Sequence, residues 1–222
     1  MTGGTQGIGA GIARQFAAFG ARVIAAGLSA ADMQGIETIE LDVADAASVA
    51  VLFLRIDTLD VLVNCAGMIR RHEEHDIDTF ERVIAVNLND TMRMCATARP
   101  MLAKTRGSIV NTASMLTFFG GGLVPAYSAS KGGVAQLTKS MAIAYAADGI
   151  RVNAVVPGWI ATPLTQALQD DDGRSQAILD RTPMKRWGLP EDVARVTAFL
   201  ASPAASFMMA AIVPVDGGYL VA

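Results

Sequence analysis

The sequence predicts an α/β fold: a doubly wound parallel sheet with helices on both faces, in a single domain over residues 1–222. Three observations carry it. Hydrophobic residues make up 52% of the chain and charged residues 18%, a balance suited to strands buried on both faces. Short apolar runs alternate with longer segments of helical period, the rhythm of βα units with right-handed crossovers. The length, 222 residues, fits one such domain with a sizeable core, and no repeat, low-complexity tract or linker divides it.

Taken in order, the chain opens on Thr2-Gly3-Gly4-Thr5-Gln6-Gly7-Ile8-Gly9. Gly3, Gly7 and Gly9 allow a tight turn, a close approach of backbone to a diphosphate and close helix packing, the pattern of a Rossmann-type fold. The helix that follows repeats Ile8, Ile12, Phe16 and Phe19 and stops at Gly20, a natural C′ residue. Its free N–H groups suit a pyrophosphate. A strand is expected to deliver such a loop, yet Met1 stands where that strand would end, so the sheet reads as lacking its first strand. Either the true start lies upstream of Met1 or the protein is shortened; if the chain is complete, neighbouring strands lose ladder partners, and a rearranged or partly disordered N-terminus is then expected.

Strands are predicted at Ala21–Ala26, Ile36–Leu41, Leu59–Asn64, Gly107–Thr112, Arg151–Val156 and Ala211–Val215. Long helices are predicted near Asp78–Leu102 and Tyr127–Ala147, the second closed by Asp148-Gly149. A shorter one starts at Pro190, with Glu191 and Asp192 in its first turn, where the helix dipole favours them. Val196–Val215 carries no formal charge, but Pro203 and Pro214 interrupt it, so it reads as a buried helix and a last strand rather than a membrane span.

The chemistry begins with Tyr127 and Lys131, four residues apart, and Ser114 thirteen residues upstream. A helix places i and i+4 on one face. A phenol titrates near ~10, and a cation about 4 Å away at an effective dielectric of roughly 20 shifts that by close to ~3 units. That is enough for a general acid/base near neutrality.

With these motifs the chain resembles the short-chain dehydrogenase/reductase family over essentially its whole length. The matching stretches are Thr2–Gly9, Asp42-Val43, Asn64-Cys65-Ala66-Gly67, Asn87, Ser114, Tyr127, Lys131, Pro157-Gly158 with Thr162-Pro163, and Asp216-Gly217-Gly218. Within the family the resemblance is strongest to 2-dehydro-3-deoxy-D-gluconate 5-dehydrogenases and related sugar-acid dehydrogenases. It rests on Ala66–Arg71, Ala113–Phe118, Ile178–Arg181 and Arg186–Pro190.

The resemblance implies an NAD(P)-dependent oxidoreductase that moves a hydride between nicotinamide and a secondary alcohol or ketone. Asn87, Ser114, Tyr127 and Lys131 would form its catalytic tetrad, with Tyr127 exchanging the proton and Ser114 holding the substrate oxygen. Lys131 would tune the phenol and hold the nicotinamide ribose, and Asn87 would anchor a relay water. The cofactor would meet Gly3, Thr5, Gln6, Gly7, Ile8 and Gly9, then Asp42, Val43, Asn64, Ala66 and Gly67, then Tyr127, Lys131, Pro157, Gly158, Ile160 and Thr162. A homotetramer or homodimer is implied as well.

Two departures stand beside the missing strand. Gly27–Gly35 is too short for a helix between the predicted strands Ala21–Ala26 and Ile36–Leu41. Gly27 also stands where NAD-preferring relatives place an acid. Gln6 and Leu28 offer no cation for a 2′-phosphate, which tilts the expectation slightly to NAD. Arg70, Arg71, Arg174 and Arg186 are candidates for a substrate carboxylate, since a guanidinium fork matches it.

Composition sets limits on partners. A net charge of −3 gives no case for nucleic acid or an anionic membrane. Cys65 and Cys95 sit in apolar runs without metal-ligand spacing, so no metal site is expected. They read as buried free thiols of a cytoplasmic protein, and no secretory leader precedes the glycine loop. The expected partner is a small sugar acid or polyol. The alternative is a truncated relative that binds nucleotide but turns over weakly or not at all, with a sensing or scaffolding role.

Overall fold

The computed structural model describes all residues, Met1–Ala222. The elements run α1 (Gly7–Ala18), β1 (Ile24–Gly27), β2 (Glu37–Glu40), α2 (Ala46–Phe53), β3 (Val61–Asn64), α3 (Ile77–Ile84), α4 (Asp90–Thr105) and β4 (Ser108–Thr112). They continue with α5 (Pro125–Tyr145), β5 (Arg151–Pro157), α6 (Gln166–Gln169), α7 (Asp172–Arg181), α8 (Pro190–Ala201) and β6 (Ile212–Val215). All ladders are parallel: β1 pairs with β2, and β3, β4, β5 and β6 follow in order.

The predicted strands all form, most of them starting one to three residues later than the apolar runs do. The long helix predicted over Asp78–Leu102 is two helices joined by a π turn at Ala85–Asn89. Between β1 and β2 the chain turns through Gly35 (φ 73°) without a helix, as its length predicts.

Successive strand residues enter opposite layers. Leu62, Ile109 and Val152 pack toward α4 and α5 with Leu41, Leu102 and Tyr145. Val63, Val110 and Val155 pack with Ile12 of α1 and Val193 and Leu200 of α8. α1 and α8 approach closely because Gly11 lacks a side chain; a Cβ there would lie 2.6 Å from Pro190 Cβ.

No strand lies between β1 and β3. In place of a rearranged N-terminus, Met1 and Thr2 sit in line with the sheet and bridge both neighbours. Thr2 pairs with Ala26 on one side and Asn64 on the other. Met1 carbonyl accepts from Ala26 N–H (2.9 Å), Thr2 N–H donates to Val63 carbonyl (3.0 Å), and Cys65 N–H donates to Thr2 carbonyl (3.2 Å). Thr2 thereby bridges the two parts of the sheet just ahead of the glycine loop.

Candidate active site

The sequence-predicted residues gather along the carboxyl ends of the strands, where ligands bind in open α/β sheets. The glycine loop is held down by Thr2 Oγ1, which accepts from Cys65 and Ala66 N–H (3.3 Å each). Gly3 has φ 61°, and a Cβ there would lie 2.7 Å from Ala66 N; at Gly9 it would lie 1.9 Å from Gly3 carbonyl oxygen. Gln6 occupies the N-cap of α1 and makes no side-chain cap, leaving first-turn N–H groups free for an anion. This cradle fits a dinucleotide diphosphate.

Thr162, after β5, sits over the same turn: its Cγ2 would be 3.5 Å from a Cβ on Gly7. Pro157 ends β5, and Gly158 donates to Val215 carbonyl (3.0 Å). Ile160 is placed differently from Thr162, with its side chain in the core and its carbonyl accepting from Thr165 Oγ1 (2.7 Å).

On the far side of the loop, Thr5 explains the glycine that ends β1, because a Cβ on Gly27 would meet Thr5 Oγ1 at 2.4 Å. Asp42 is exposed and accepts from Ala44 N–H (2.9 Å); the cap of α2 is Asp45. Val43 is buried, its carbonyl accepting from Arg93 Nη1 (2.9 Å). The Asn64 side chain turns inward, donating to Asn111 Oδ1 (2.9 Å) and Cys95 Sγ (3.2 Å). Within Asn64–Gly67, Gly67 lies beside Asn87 and Lys131 and Ala66 N–H meets Thr2 Oγ1. Of the two thiols Cys95 is buried and Cys65 half-buried.

The tetrad assembles around α5. Ser114 follows β4, caps a turn through Leu116 N–H (3.3 Å) and lies close enough to the Tyr127 phenol to lower its pKa. Lys131 is buried, with Nζ donating to Thr112 carbonyl (2.8 Å) and lying 5.5 Å from the centre of the Tyr127 ring. Asn87 lies in the π turn, buried in its apolar stretch. Its Oδ1 accepts from Met68 N–H (2.8 Å), and its amide donates to Met68 carbonyl (2.9 Å) and Ser130 Oγ (3.1 Å). It clamps the loop after β3 beside Lys131; a Cβ on Gly67 would be 3.3 Å from Asn87 Oδ1 and 3.7 Å from Lys131 Nζ.

Burial sets the protonation. It lowers the Lys131 ammonium to about 8. It raises the Tyr127 phenol, against the opposing influence of the nearby Ser114 hydroxyl. The spacing of Tyr127 and Lys131 alone predicts a lowered phenol. Here desolvation outweighs a cation that already serves the Thr112 carbonyl.

Of the four arginines, Arg71 is placed nearest the chemistry. Burial lowers its pKa, followed by the charge of Arg174, while Tyr127 and Glu74 act in the other direction. Neither Arg71 nor Arg174 makes a side-chain ion pair. Arg70 is exposed. Arg186 instead binds Asp192 (2.7 Å), away from the tetrad.

One important residue was not singled out in the sequence. Glu74 is buried and accepts from Arg70 N–H and Tyr127 N–H (2.8 Å each). It satisfies a free donor in the first turn of α5 and ties the arginine loop to the catalytic helix. Nothing in its acidic, basic neighbourhood distinguished it from the exposed Glu73.

Comparison with known proteins agrees with this geometry. A family model described as enoyl-(acyl carrier protein) reductase matches residues 3–220. The 2-dehydro-3-deoxy-D-gluconate 5-dehydrogenase of Bacillus subtilis (strain 168) is 39% identical over 236 residues, covering 99% of this chain and 93% of the relative. The galactitol 2-dehydrogenase (L-tagatose-forming) of Cereibacter sphaeroides is 41% identical over 243 residues, covering 100% and 94%. A crystal structure from Agrobacterium tumefaciens, provisionally named a 2-deoxy-D-gluconate 3-dehydrogenase and carrying NADP, superposes with a TM-score of 0.92 at 40% identity. It covers 100% of this chain and 95% of that one. With the glycine cradle, the strand-end loops and the Ser-Tyr-Lys constellation in register, the chain belongs to the short-chain dehydrogenase/reductase family of nicotinamide-dependent oxidoreductases.

Proposed function

We propose that this enzyme oxidises or reduces a sugar acid at a secondary alcohol or ketone, with a deoxy-ketogluconate as the model substrate. The observation that supports it most is Arg71, half-buried beside Tyr127, close enough to Arg174 to feel its charge, and without an ion-pair partner of its own. A carboxylate placed there would relieve their repulsion and accept a guanidinium fork. The names of the sugar-acid and polyol relatives point the same way.

In the reductive direction the substrate carbonyl oxygen would take a hydrogen bond from Ser114, and Tyr127 would give that oxygen its proton. In the oxidative direction Tyr127 would receive the proton. Bound nicotinamide supplies or receives the hydride. Burial keeps the phenol protonated at neutral pH, ready to act as the acid. Lys131 places positive charge behind the ring, Asn87 fixes the Met68 loop, and Glu74 holds the start of α5. A relative that binds nucleotide without turnover finds no support in so complete a constellation.

The same proposal includes NAD in preference to NADP, since Gly27-Leu28-Ser29 after β1 offers no cation to a 2′-phosphate. It includes self-association as a tetramer or dimer, for which Ile143 on α5 and Phe207 are exposed apolar candidates. A cytoplasmic location belongs to the proposal too; no helix here is long and apolar enough to cross a membrane.

The test is a panel of 2-dehydro-3-deoxy-D-gluconate, gluconate, a neutral hexitol and a bulky apolar ketone, each with NAD(H) and NADP(H). Sugar acids should lead by kcat/KM. Arg71→Gln should raise KM for the acids by about 10-fold or more while changing the neutral hexitol little. Better turnover of the apolar ketone, or an equal loss on the neutral substrate, would reject the assignment.

A further inference from the structure

Asp90 is a buried carboxylate to which the mechanism gives no task. It opens α4 directly after the π turn that holds Asn87 and is 3% exposed. One oxygen, Oδ1, meets Arg93 Nη1 in an ion pair. The other, Oδ2, is buried and finds no hydrogen-bond partner in the protein. Burial raises its pKa from 3.8 to about 6, against the attraction of Arg93 and reinforced by Asp42. Those two, on its own helix and on the loop after β2, are the charged groups that act on it. A folded pKa above the unfolded one means that the charge costs stability, in full above pH 6. A carboxylate kept ionised at such a cost has its use elsewhere in the molecule.

Arg93 supplies the link. Besides meeting Asp90, its Nη1 donates to the Val43 carbonyl (2.9 Å). That carbonyl belongs to the loop Asp42–Asp45 between β2 and α2. Inside the loop Ala44 N–H donates to Asp42 Oδ1 and Asp45 N–H to the Asp42 carbonyl. Asp45 is spent on α2, where its Oδ1 accepts from Ala47 N–H. All of these bonds are local. The bond from Arg93 is the one hydrogen bond that ties this loop to an element other than α2.

The loop stands at the carboxyl end of β2, on the ligand side of the sheet. Asp42 is exposed there, and an exposed carboxylate oxygen accepts readily from an amino group such as that of adenine. Asp42 is also one residue from the carbonyl that Arg93 holds. The guanidinium therefore has two acids to choose between, the buried Asp90 and the exposed Asp42. Pairing with Asp90 leaves Asp42 free for a ligand.

We propose that Asp90 and Arg93 are positioning residues for the adenine end of the cofactor: Arg93 sets the Asp42–Val43 corner through the Val43 carbonyl, and Asp90 keeps the guanidinium away from Asp42. This rests on the dinucleotide reading of the cleft, with adenine at Asp42–Val43. Neither residue touches the cofactor; both act through Asp42. With Asp90 ionised, Asp42 accepts from the adenine 6-amino group. With Asp90 protonated, Arg93 turns to Asp42 and the amino group loses its acceptor, so recognition of the base fades as the pH falls through about 6.

The experiment compares NAD or NADP, whichever binds the tighter, with its hypoxanthine analogue, which lacks the 6-amino group. Calorimetric titration gives both Kd values for the parent and three variants. At pH 7.5 the parent should prefer the adenine form by about tenfold, the scale of one charge-assisted hydrogen bond. Asp90→Asn and Arg93→Met should each cut that preference to about twofold or less, weakening the adenine form and leaving the analogue near its parent value. The Tm of Asp90→Asn should not fall, since a costly charge is removed. Between pH 7.5 and pH 5 the parent's preference should shrink by about fivefold, while that of Asp90→Asn stays constant. Asp42→Ala tests the reading beneath: if it keeps the parent's preference, adenine lies elsewhere and the reading falls together with the proposal. If Asp42→Ala loses the preference while Asp90→Asn and Arg93→Met keep it, the reading stands and the proposal alone is overturned. An equal loss for both dinucleotides with a lowered Tm would make the pair a structural tie and overturn it as well.

Discussion

At its carboxyl end β3 feeds a region where Asn87, Lys131 and Glu74 are each hydrogen-bonded to the main chain of a neighbouring segment. At its amino end the same strand presents Val61 to an open gap. The two ends divide the molecule's work. The catalytic half, built from α4, β4 and α5, is cross-linked by buried polar contacts and owes little to the N-terminus. The cofactor half, with β1, the glycine loop and α1, joins the rest through apolar packing of α1 on α8 and through the Thr2 bridges. One substitution on each side should therefore break one function and spare the other.

The largest effect is expected from Tyr127→Phe. It removes the proton donor and keeps the ring, so kcat should fall by about 10²-fold or more, with cofactor affinity and Tm near those of the parent. Steady-state kinetics beside calorimetric cofactor titration measures both. Parent-like turnover would remove Tyr127 from its assigned role, and a matching loss of cofactor affinity would show that the halves are not separable.

The mirror experiment is Gly9→Ala. A Cβ at this position would lie 1.9 Å from the Gly3 carbonyl oxygen, a backbone atom that cannot step aside. Overpacking of this kind costs about 1–3 kcal/mol, and opening the loop should weaken cofactor binding by about 10-fold or more. With cofactor saturating, kcat should stay within about threefold, because no tetrad residue touches the loop. Unchanged cofactor affinity would mean that the cradle does not hold the diphosphate.

This division also marks what the sequence could reveal. Local spacing was legible: Tyr127 and Lys131 one turn apart, three glycines before a helix, apolar runs closing on Asn64 and Pro157. What escaped depends on partners distant in the chain. The π turn at Ala85–Asn89 surrounds an amide satisfied by Met68 and Ser130, so no local pattern announces it. The inward turn of Asn64 is decided by Asn111 and Cys95. Glu74 matters only because α5 begins above it. The direction of the Tyr127 shift also followed burial, a property of the whole fold, rather than the spacing of two residues.

The smallest effect should be a gain. Lys131 is buried and its pKa falls from 10.5 to about 8. Between those values the unfolded chain holds the proton more tightly, so wild-type stability rises with pH across that window. Below pH 8 the penalty is complete, roughly 3 kcal/mol at ~1.36 per unit. Lys131→Met removes the charge at similar length and leaves the Thr112 carbonyl without its donor, a loss of about 1–2 kcal/mol. At pH 7 the variant should therefore be more stable by about 1–2 kcal/mol while its turnover collapses, and the advantage should vanish as pH rises toward 10. Urea unfolding at pH 7 and pH 9.5 reads both the sign and the slope. A variant less stable at pH 7, or a difference indifferent to pH, would mean that the ammonium is well solvated through a path to the cofactor cleft. In that case the catalytic half is held at no cost in stability, and the contrast with the open gap at the other end of β3 becomes sharper still.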